Sequence, residues 1–198
     1  MAIIVDKIQK RKDIASSCIK IFTEIGIDNL TVSKVAKTAG IGKGTVYEYF
    51  NDKEDIVFEI LNILMQEHND RKEKSLKNIP LTKDKLKHFF NFFYNKEDKE
   101  LRGIYKEFLS ITLKKSDTHM IEFQDKCYKL YLEWTNTILD DAIQNNEVKS
   151  NAKEYTTGLF AFMQGIFIMN ETTNSINNLE YEINDYIDMI FNTIEIKK

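Results

Sequence analysis

The residues best suited to chemistry stand between Lys43 and Lys53, in the run K-G-T-V-Y-E-Y-F-N-D-K. Val46 and Phe50 are four apart, so on a helix they share one side and turn inward. Gly44, Thr45 and Glu48 then point away from that side, with Lys43 and Tyr47 flanking one edge and Tyr49 the other. Such a face suits a DNA groove. Gly44 permits close backbone approach, Thr45 offers a methyl and a hydroxyl to base edges, and the flanking groups can hydrogen-bond phosphates. On spacing alone, a helix hairpin that merely packs a core fits these residues equally well.

Positioning that face requires a second helix and a tight turn. Thr31 is suited to an N-cap, Val32, Val35, Ala36 and Ala39 form one apolar side, and Gly40 stands where a left-handed residue ends a helix. Residues 31–50 therefore read as a helix-turn-helix. Ahead of it, Ala15, Cys18, Ile19, Phe22 and Ile25 recur at helical steps, which predicts one helix from about Asp6 to Ile25, ended by Gly26. Its first turns carry Lys7, Lys10, Arg11 and Lys12, which could reach a phosphate backbone or simply be solvated.

Composition narrows the class. Of 198 residues, 42% are hydrophobic, while one Pro and seven Gly favour long helices over a turn-rich β fold. The expectation is all-α. Net charge is −3, yet residues 1–53 hold nine Lys/Arg against six Asp/Glu, a local +3, and the remainder is acidic. A basic head on an acidic body suits DNA contact confined to the N-terminus. Cys18 and Cys127 have no paired spacing and read as buried free thiols in a reducing compartment. The run MAIIVDK is too short for a signal peptide, and Gly158 to Met169 falls short of the ~18 residues of a membrane span, so a soluble cytoplasmic protein with no membrane partner is expected.

Beyond the head, a helix from about Asn51 or Asp52 to Asn78 is apolar on more than one face as far as Met65 and should link head to body. His68, where it turns polar, is expected to be solvated. Thr82 is expected to cap the next helix, with Leu86, Phe89, Phe90 and Phe93 as its stripe, followed by a helix at Leu101–Leu109. Asp117 is expected to cap a long helix through Asn145. A bundle this aromatic can leave a cavity, and Tyr105, Phe108, Tyr128, Tyr131 and Trp134 are the candidates to line it for an apolar or aromatic ligand. The last two helices begin at Asn151 and about Leu179. Leu159, Met163 and Ile166 on the first, with Ile183, Ile187, Ile190 and Ile194 on the second, are the candidate dimer interface of a four-helix bundle shared by two chains.

No HExxH, CxxC, GxxxxGK or GxSxG is present, and His68, His88 and His119 lack second ligands at helical spacing. Neither catalysis nor a bound metal or cofactor is expected.

The ordered set Thr31, Val35-Ala36, Ala39-Gly40-Ile41, Lys43-Gly44-Thr45-Val46-Tyr47, Tyr49-Phe50 and Lys53-Glu54, preceded by Phe22 and Gly26, resembles the DNA-binding domain of TetR-type transcriptional regulators. The resemblance covers roughly the first 60 residues. It implies a three-helix DNA-binding domain at 1–53 and a helical ligand-binding and dimerisation domain at 54–198. Phosphate contacts would fall on Thr31, Lys43, Tyr47, Tyr49 and Lys53, and base contacts on Gly44, Thr45 and Tyr47. Two positions depart from the pattern. Gly42 stands where the family usually has Ser or Thr, and Glu48 faces the groove, where it repels phosphates unless it accepts from a cytosine amine. The implied function is a ligand-responsive dimeric repressor of a palindromic operator. The alternative is an architectural or division-associated DNA-binding module of the same fold.

Overall fold

A computed structural model describes residues 6–114 and 118–197. Ten α-helices and two 3-10 turns account for most of them, and the only β-type pairing among the described residues is an isolated bridge between Val148 and Glu195. The expected all-α class is what forms.

The chain divides into two compact units, Met1–Asp70 with Glu100–Ser116, and Arg71–Lys99 with Asp117–Lys198. In the first unit, Asp6 caps α1 (Lys7–Ser17) by accepting from the Ile8 and Gln9 amides. The single helix expected through Ile25 is broken at Cys18, whose N–H turns back to the Ala15 carbonyl at 2.9 Å, while the Ser17 hydroxyl bonds the Ile14 carbonyl. Competing side-chain and i−3 bonds of this kind tighten a helix and bend it. α2 (Ile19–Asn29) contains a second break at Gly26, with φ 77° and ψ −179°. That conformation is open essentially to glycine alone.

α3 (Val32–Ala39) is capped by Thr31, whose hydroxyl accepts from the Lys34 amide at 3.3 Å, and it ends on left-handed Gly40. The Ile41 amide then returns to the Ala36 carbonyl at 3.0 Å, which closes the turn. α4 (Lys43–Tyr49) starts from Gly42 without a side-chain cap. α5 (Lys53–Leu76) follows, with the Asp52 carboxylate accepting from the Asp55 amide. Leu61, His68, Lys72 and Leu76 all lie on one side of α5 and all are buried. His68 is only 6% exposed rather than solvated, because the buried face of α5 continues past the point where the sequence turns polar. α7 (Lys99–Lys114) joins this first unit. The division into compact units falls within α5, after Asp70, on the helix expected to link head and body.

The second unit is built from α6 (Thr82–Phe90), α8 (Thr118–Gln144), α9 (Thr156–Thr172) and α10 (Leu179–Ile194), with 3-10 turns at Asn91–Phe93 and Ala152–Tyr155. Thr82 is not a cap. It is the first residue of α6, and its hydroxyl donates to Glu147 at 2.6 Å. The cap expected at Asp117 lies outside the described residues. Asn178 caps α10 by accepting from the Tyr181 amide.

A buried polar cluster joins the end of α5 to α6. Lys72 Nζ donates to the His88 carbonyl at 2.8 Å and to Asn91 Oδ1, which also accepts from Asn95 Nδ2. With its oxygen so engaged, the Asn91 amide turns its nitrogen to His88 Nδ1, which must be the bare acceptor. The ring proton therefore sits on Nε2, 2.6 Å from the Ser75 oxygen. Burial pulls Lys72 down to about 8, against the upward pull of Asp98 and Glu97.

Candidate nucleic-acid interface

α4 is only seven residues long, too short to be stable alone, so its surroundings fix both its existence and its direction. Val46 and Phe50 are fully buried, anchoring one side of α4 where it packs on α3 and α1. Lys43, Gly44 and Glu48 are exposed, Tyr47 is 59% exposed, and Thr45 and Tyr49 are half-buried. The separation into an inward and an outward face follows the helical spacing of the sequence.

Thr31, at the start of α3, is exposed with its hydroxyl already accepting from Lys34. Lys53 is half-buried, and its ammonium donates to the Asp28 carbonyl at 3.1 Å, while Lys34 Nζ reaches the Asn29 carbonyl at 2.9 Å. Both cations thus sit over the C-terminal end of α2, where unpaired carbonyls favour positive charge. Lys34 was not among the residues singled out by spacing. Only its place one turn after a cap could have marked it.

Arg11 departs from its expected role. Rather than facing outward with Lys7 and Lys12, it turns into the head and forms salt bridges with Asp55 at 2.6 Å and Glu59 at 2.8 Å. Its guanidinium also lies 4.4 Å from the Phe50 ring centroid. The hydrogen bond to Asp55 is the strongest influence holding its proton, burial opposes it, and Glu59 adds to the hold. The i, i+4 spacing of Asp55 and Glu59 on α5 was the available signal for such a partner.

Glu107 is a second group that spacing did not reveal. From α7, its carboxylate accepts from the Ile27 amide at 2.8 Å and the Asp28 amide at 3.3 Å, just past the break at Gly26. A Cβ at position 26 would lie 2.7 Å from both carboxylate oxygens. Glycine is required there by backbone conformation and by this approach together.

The ligand candidates fall into two groups. Tyr105 and Phe108 lie on α7 in the first unit, and Tyr128, Tyr131 and Trp134 lie on α8 in the second. Within the second unit, Trp134 and Tyr131 meet Phe89 edge-on at 5.2 and 6.2 Å between centroids, and Tyr128 meets Phe160 at 5.6 Å. Phe90 joins the two sets, 5.2 Å from both Phe89 and Phe160. Phe89, Phe90 and Phe160 are the members that the candidate set lacked.

The candidate dimer residues belong to the core of the single protomer. Leu159, Met163, Ile166, Ile183, Ile187, Ile190 and Ile194 are all buried within one chain, because α10 packs its isoleucine stripe on α6 and α9 of its own protomer. Exposed on these helices instead are Gly158, Ala161, Gly165, Ile168 and Met169 of α9, and Tyr181 and Met189 of α10. Cys18 and Cys127 form no disulfide, and burial raises both thiols, Cys127 to about 11. Among the described residues no cluster of His, Cys, Asp and Glu is arranged to hold a metal ion, and no helix is long and apolar enough to cross a membrane.

Comparison with known proteins bears on the head and on the fold separately. Residues 14–60 match the family model for bacterial regulatory proteins of the tetR family. The fatty acid metabolism regulator protein of Bacillus subtilis (strain 168) is 29% identical over 142 residues, covering 71% of each chain. A TetR-family transcriptional regulator from Cytophaga hutchinsonii shares the fold with a TM-score of 0.75 at 16% identity, over 98% of this chain and 99% of that one. The regulator FadR from Bacillus subtilis, solved in complex with stearoyl-CoA, shares it with a TM-score of 0.59 at 24% identity, over 90% and 96% of the two chains. Together with the capped α3, the left-handed Gly40 and the outward face of α4, these matches show a DNA-binding head of the tetR type at residues 14–60, in a chain whose fold is shared with TetR-family transcriptional regulators.

Proposed function

We propose that this regulator is a cytoplasmic dimeric repressor, released from a palindromic operator by a long-chain acyl thioester or a closely related fatty-acyl molecule. The observation that carries the DNA-reading part is the outward face of α4, with Val46 and Phe50 buried behind Lys43, Gly44, Thr45, Tyr47 and Glu48. In a dimer, two such helices enter successive major grooves about 34–36 Å apart, or a multiple of that.

The ligand class rests on two supports. One is the likeness to a fatty acid metabolism regulator and to a regulator bound to stearoyl-CoA. The other is the aromatic cluster of Phe89, Phe90, Tyr128, Tyr131, Trp134 and Phe160, whose apolar rings suit a hydrocarbon chain. Tyr105 and Phe108 remain candidates on α7. Release requires that the ligand bind the DNA-incompetent state more tightly, and a coupling of about 1–3 kcal/mol corresponds to roughly 5- to 150-fold weaker operator binding.

The dimer rests on the exposed side of α9. Gly158 and Gly165 each have open space where a Cβ would stand, so packing within the protomer does not require them. A helix-interior glycine costs about 1 kcal/mol relative to alanine. Close approach by a helix of a second chain would account for both, with Ala161, Ile168 and Met169 completing the face.

The test starts with selection of operator DNA from a random pool by the purified protein. Operator binding is then titrated with stearoyl-CoA, with free CoA and with stearate. Release by stearoyl-CoA at concentrations where free CoA has no effect is the expected result. An operator complex indifferent to all three would remove the ligand assignment and leave the DNA-binding assignment intact.

A further inference from the structure

A guanidinium has five N–H donors in a fixed fork, and a phosphate contact needs at least one of them free. In Arg11 all five are directed at acceptors of the head itself. Nε donates to Glu59 Oε2 at 2.8 Å, and Nη1 donates to Asp55 Oδ2 at 3.1 Å and to the Tyr49 carbonyl at 2.8 Å. Nη2 donates to Asp55 Oδ1 at 2.6 Å and to the Asp55 backbone carbonyl at 3.4 Å. Three helices meet on this one group. Arg11 belongs to α1, Asp55 and Glu59 to the first turns of α5, and Tyr49 is the last residue of α4.

The Tyr49 bond matters most for reading DNA. A carbonyl in the last turn of a helix has no partner within it, so whatever donates to it fixes where that end of the helix points. At its other end α4 has only Gly42, with no side-chain cap. The Phe50 ring, immediately after α4, lies against the guanidinium as well. Asp55 Oδ2 also accepts from the Asn51 amide at 3.0 Å, so the turn between α4 and α5 is tied to the same carboxylate.

We propose that Arg11 is a positioning residue for sequence reading, fixing the direction of the recognition helix α4 against α1 and α5 without touching DNA. A cation that only neutralised phosphate would add to affinity for every sequence alike and contribute about 1 to the salt slope. An orienting fork adds to operator affinity alone, because unspecific binding does not require Thr45 and Gly44 to meet base edges in register.

The inference rests on the DNA-reading role proposed above, and the experiment separates the two. Wild-type protein, Arg11→Lys, Arg11→Met and Lys43→Ala are compared by fluorescence anisotropy on the selected operator and on an unrelated duplex of equal length, across a range of salt. Lysine keeps the charge but cannot form the fork. For Arg11→Lys, operator affinity should fall at least tenfold, while affinity for unrelated DNA and the salt slope stay at wild-type values. Lys43→Ala should weaken both duplexes and lower the slope by about 1.

Arg11→Lys that binds the operator as wild type overturns the proposal, and so does Arg11→Met that loses slope as Lys43→Ala does. Should both Arg11 variants melt below the assay temperature, Glu59→Met decides, since it removes a single partner of the fork. A selective loss of operator affinity in that variant supports the proposal, and unchanged affinity sinks it. Wild-type protein that selects no operator at all would overturn the DNA-reading role instead.

Discussion

Glu48 is the exposed acid on the outward side of α4, and with that side in a groove its carboxylate would either repel phosphates or accept from a cytosine N4 amine. Glu48→Ala should therefore change the bases selected from a random pool at one operator position, and an unchanged selection would remove its role in base choice. Lys72 gives a prediction of another kind. Its folded-state value of about 8 lies below the ordinary 10.5, so between these values the unfolded chain holds a proton that the folded chain has released. Stability supplied by this group therefore rises with pH from about 8 to 10.5, by at most ~3 kcal/mol. The difference between wild type and Lys72→Met in urea unfolding should grow across that window. A constant difference would mean that Lys72 titrates normally. Residue by residue, sequence legibility was uneven. The outward face of α4 followed from a four-residue spacing. The burial of His68 and Lys72 did not, because polar side chains on a buried face look the same in sequence as polar side chains in water.

Elements were legible where a local rule ends them. Thr31 and Gly40 mark the ends of α3 in sequence as in space. Gly26 was recognised as an end but not for what surrounds it, since Glu107 is some 80 residues away. The two glycines offer a comparison. Gly40 has φ 67° with open space around its absent Cβ, so Gly40→Ala should cost only the backbone strain of about 1 kcal/mol. Gly26→Ala should cost more, because its backbone conformation is open essentially to glycine alone, on the order of 1–3 kcal/mol, and because a Cβ there displaces the Glu107 carboxylate from two amides. Chemical denaturation of both variants would measure this, and equal losses would show that Gly26 is under no greater constraint than Gly40. In a double-mutant cycle, Gly26→Ala should cost less once Glu107→Ala is present, because the two changes break the same contact.

Across the whole molecule, helical class and the aromatic richness of the body were evident from composition and periodicity, whereas the DNA-reading motif stood out only through its resemblance to TetR-type heads. The direction of the last two helices was not. An isoleucine stripe at 183, 187, 190 and 194 must be covered by something, and sequence cannot tell a neighbour in the same chain from one in another. The opposite side of α9 carries the corresponding prediction. Gly165→Leu should leave the melting temperature of the protomer near its wild-type value, yet sedimentation at micromolar concentration should shift to a monomer and operator affinity should fall. A dimer that persists in this variant would place the interface elsewhere. The reach of Glu107 to the Ile27 and Asp28 amides has a further consequence during synthesis. A ribosome adding roughly 5–20 residues per second delivers Glu107 on the order of 4–16 s after Gly26. All of α3 and α4 is already made by then, but two backbone amides beside the break at Gly26 still await their acceptor. The nascent head therefore completes these two hydrogen bonds only when α7 arrives, so the segment around Gly26 is the last part of the head to be fixed.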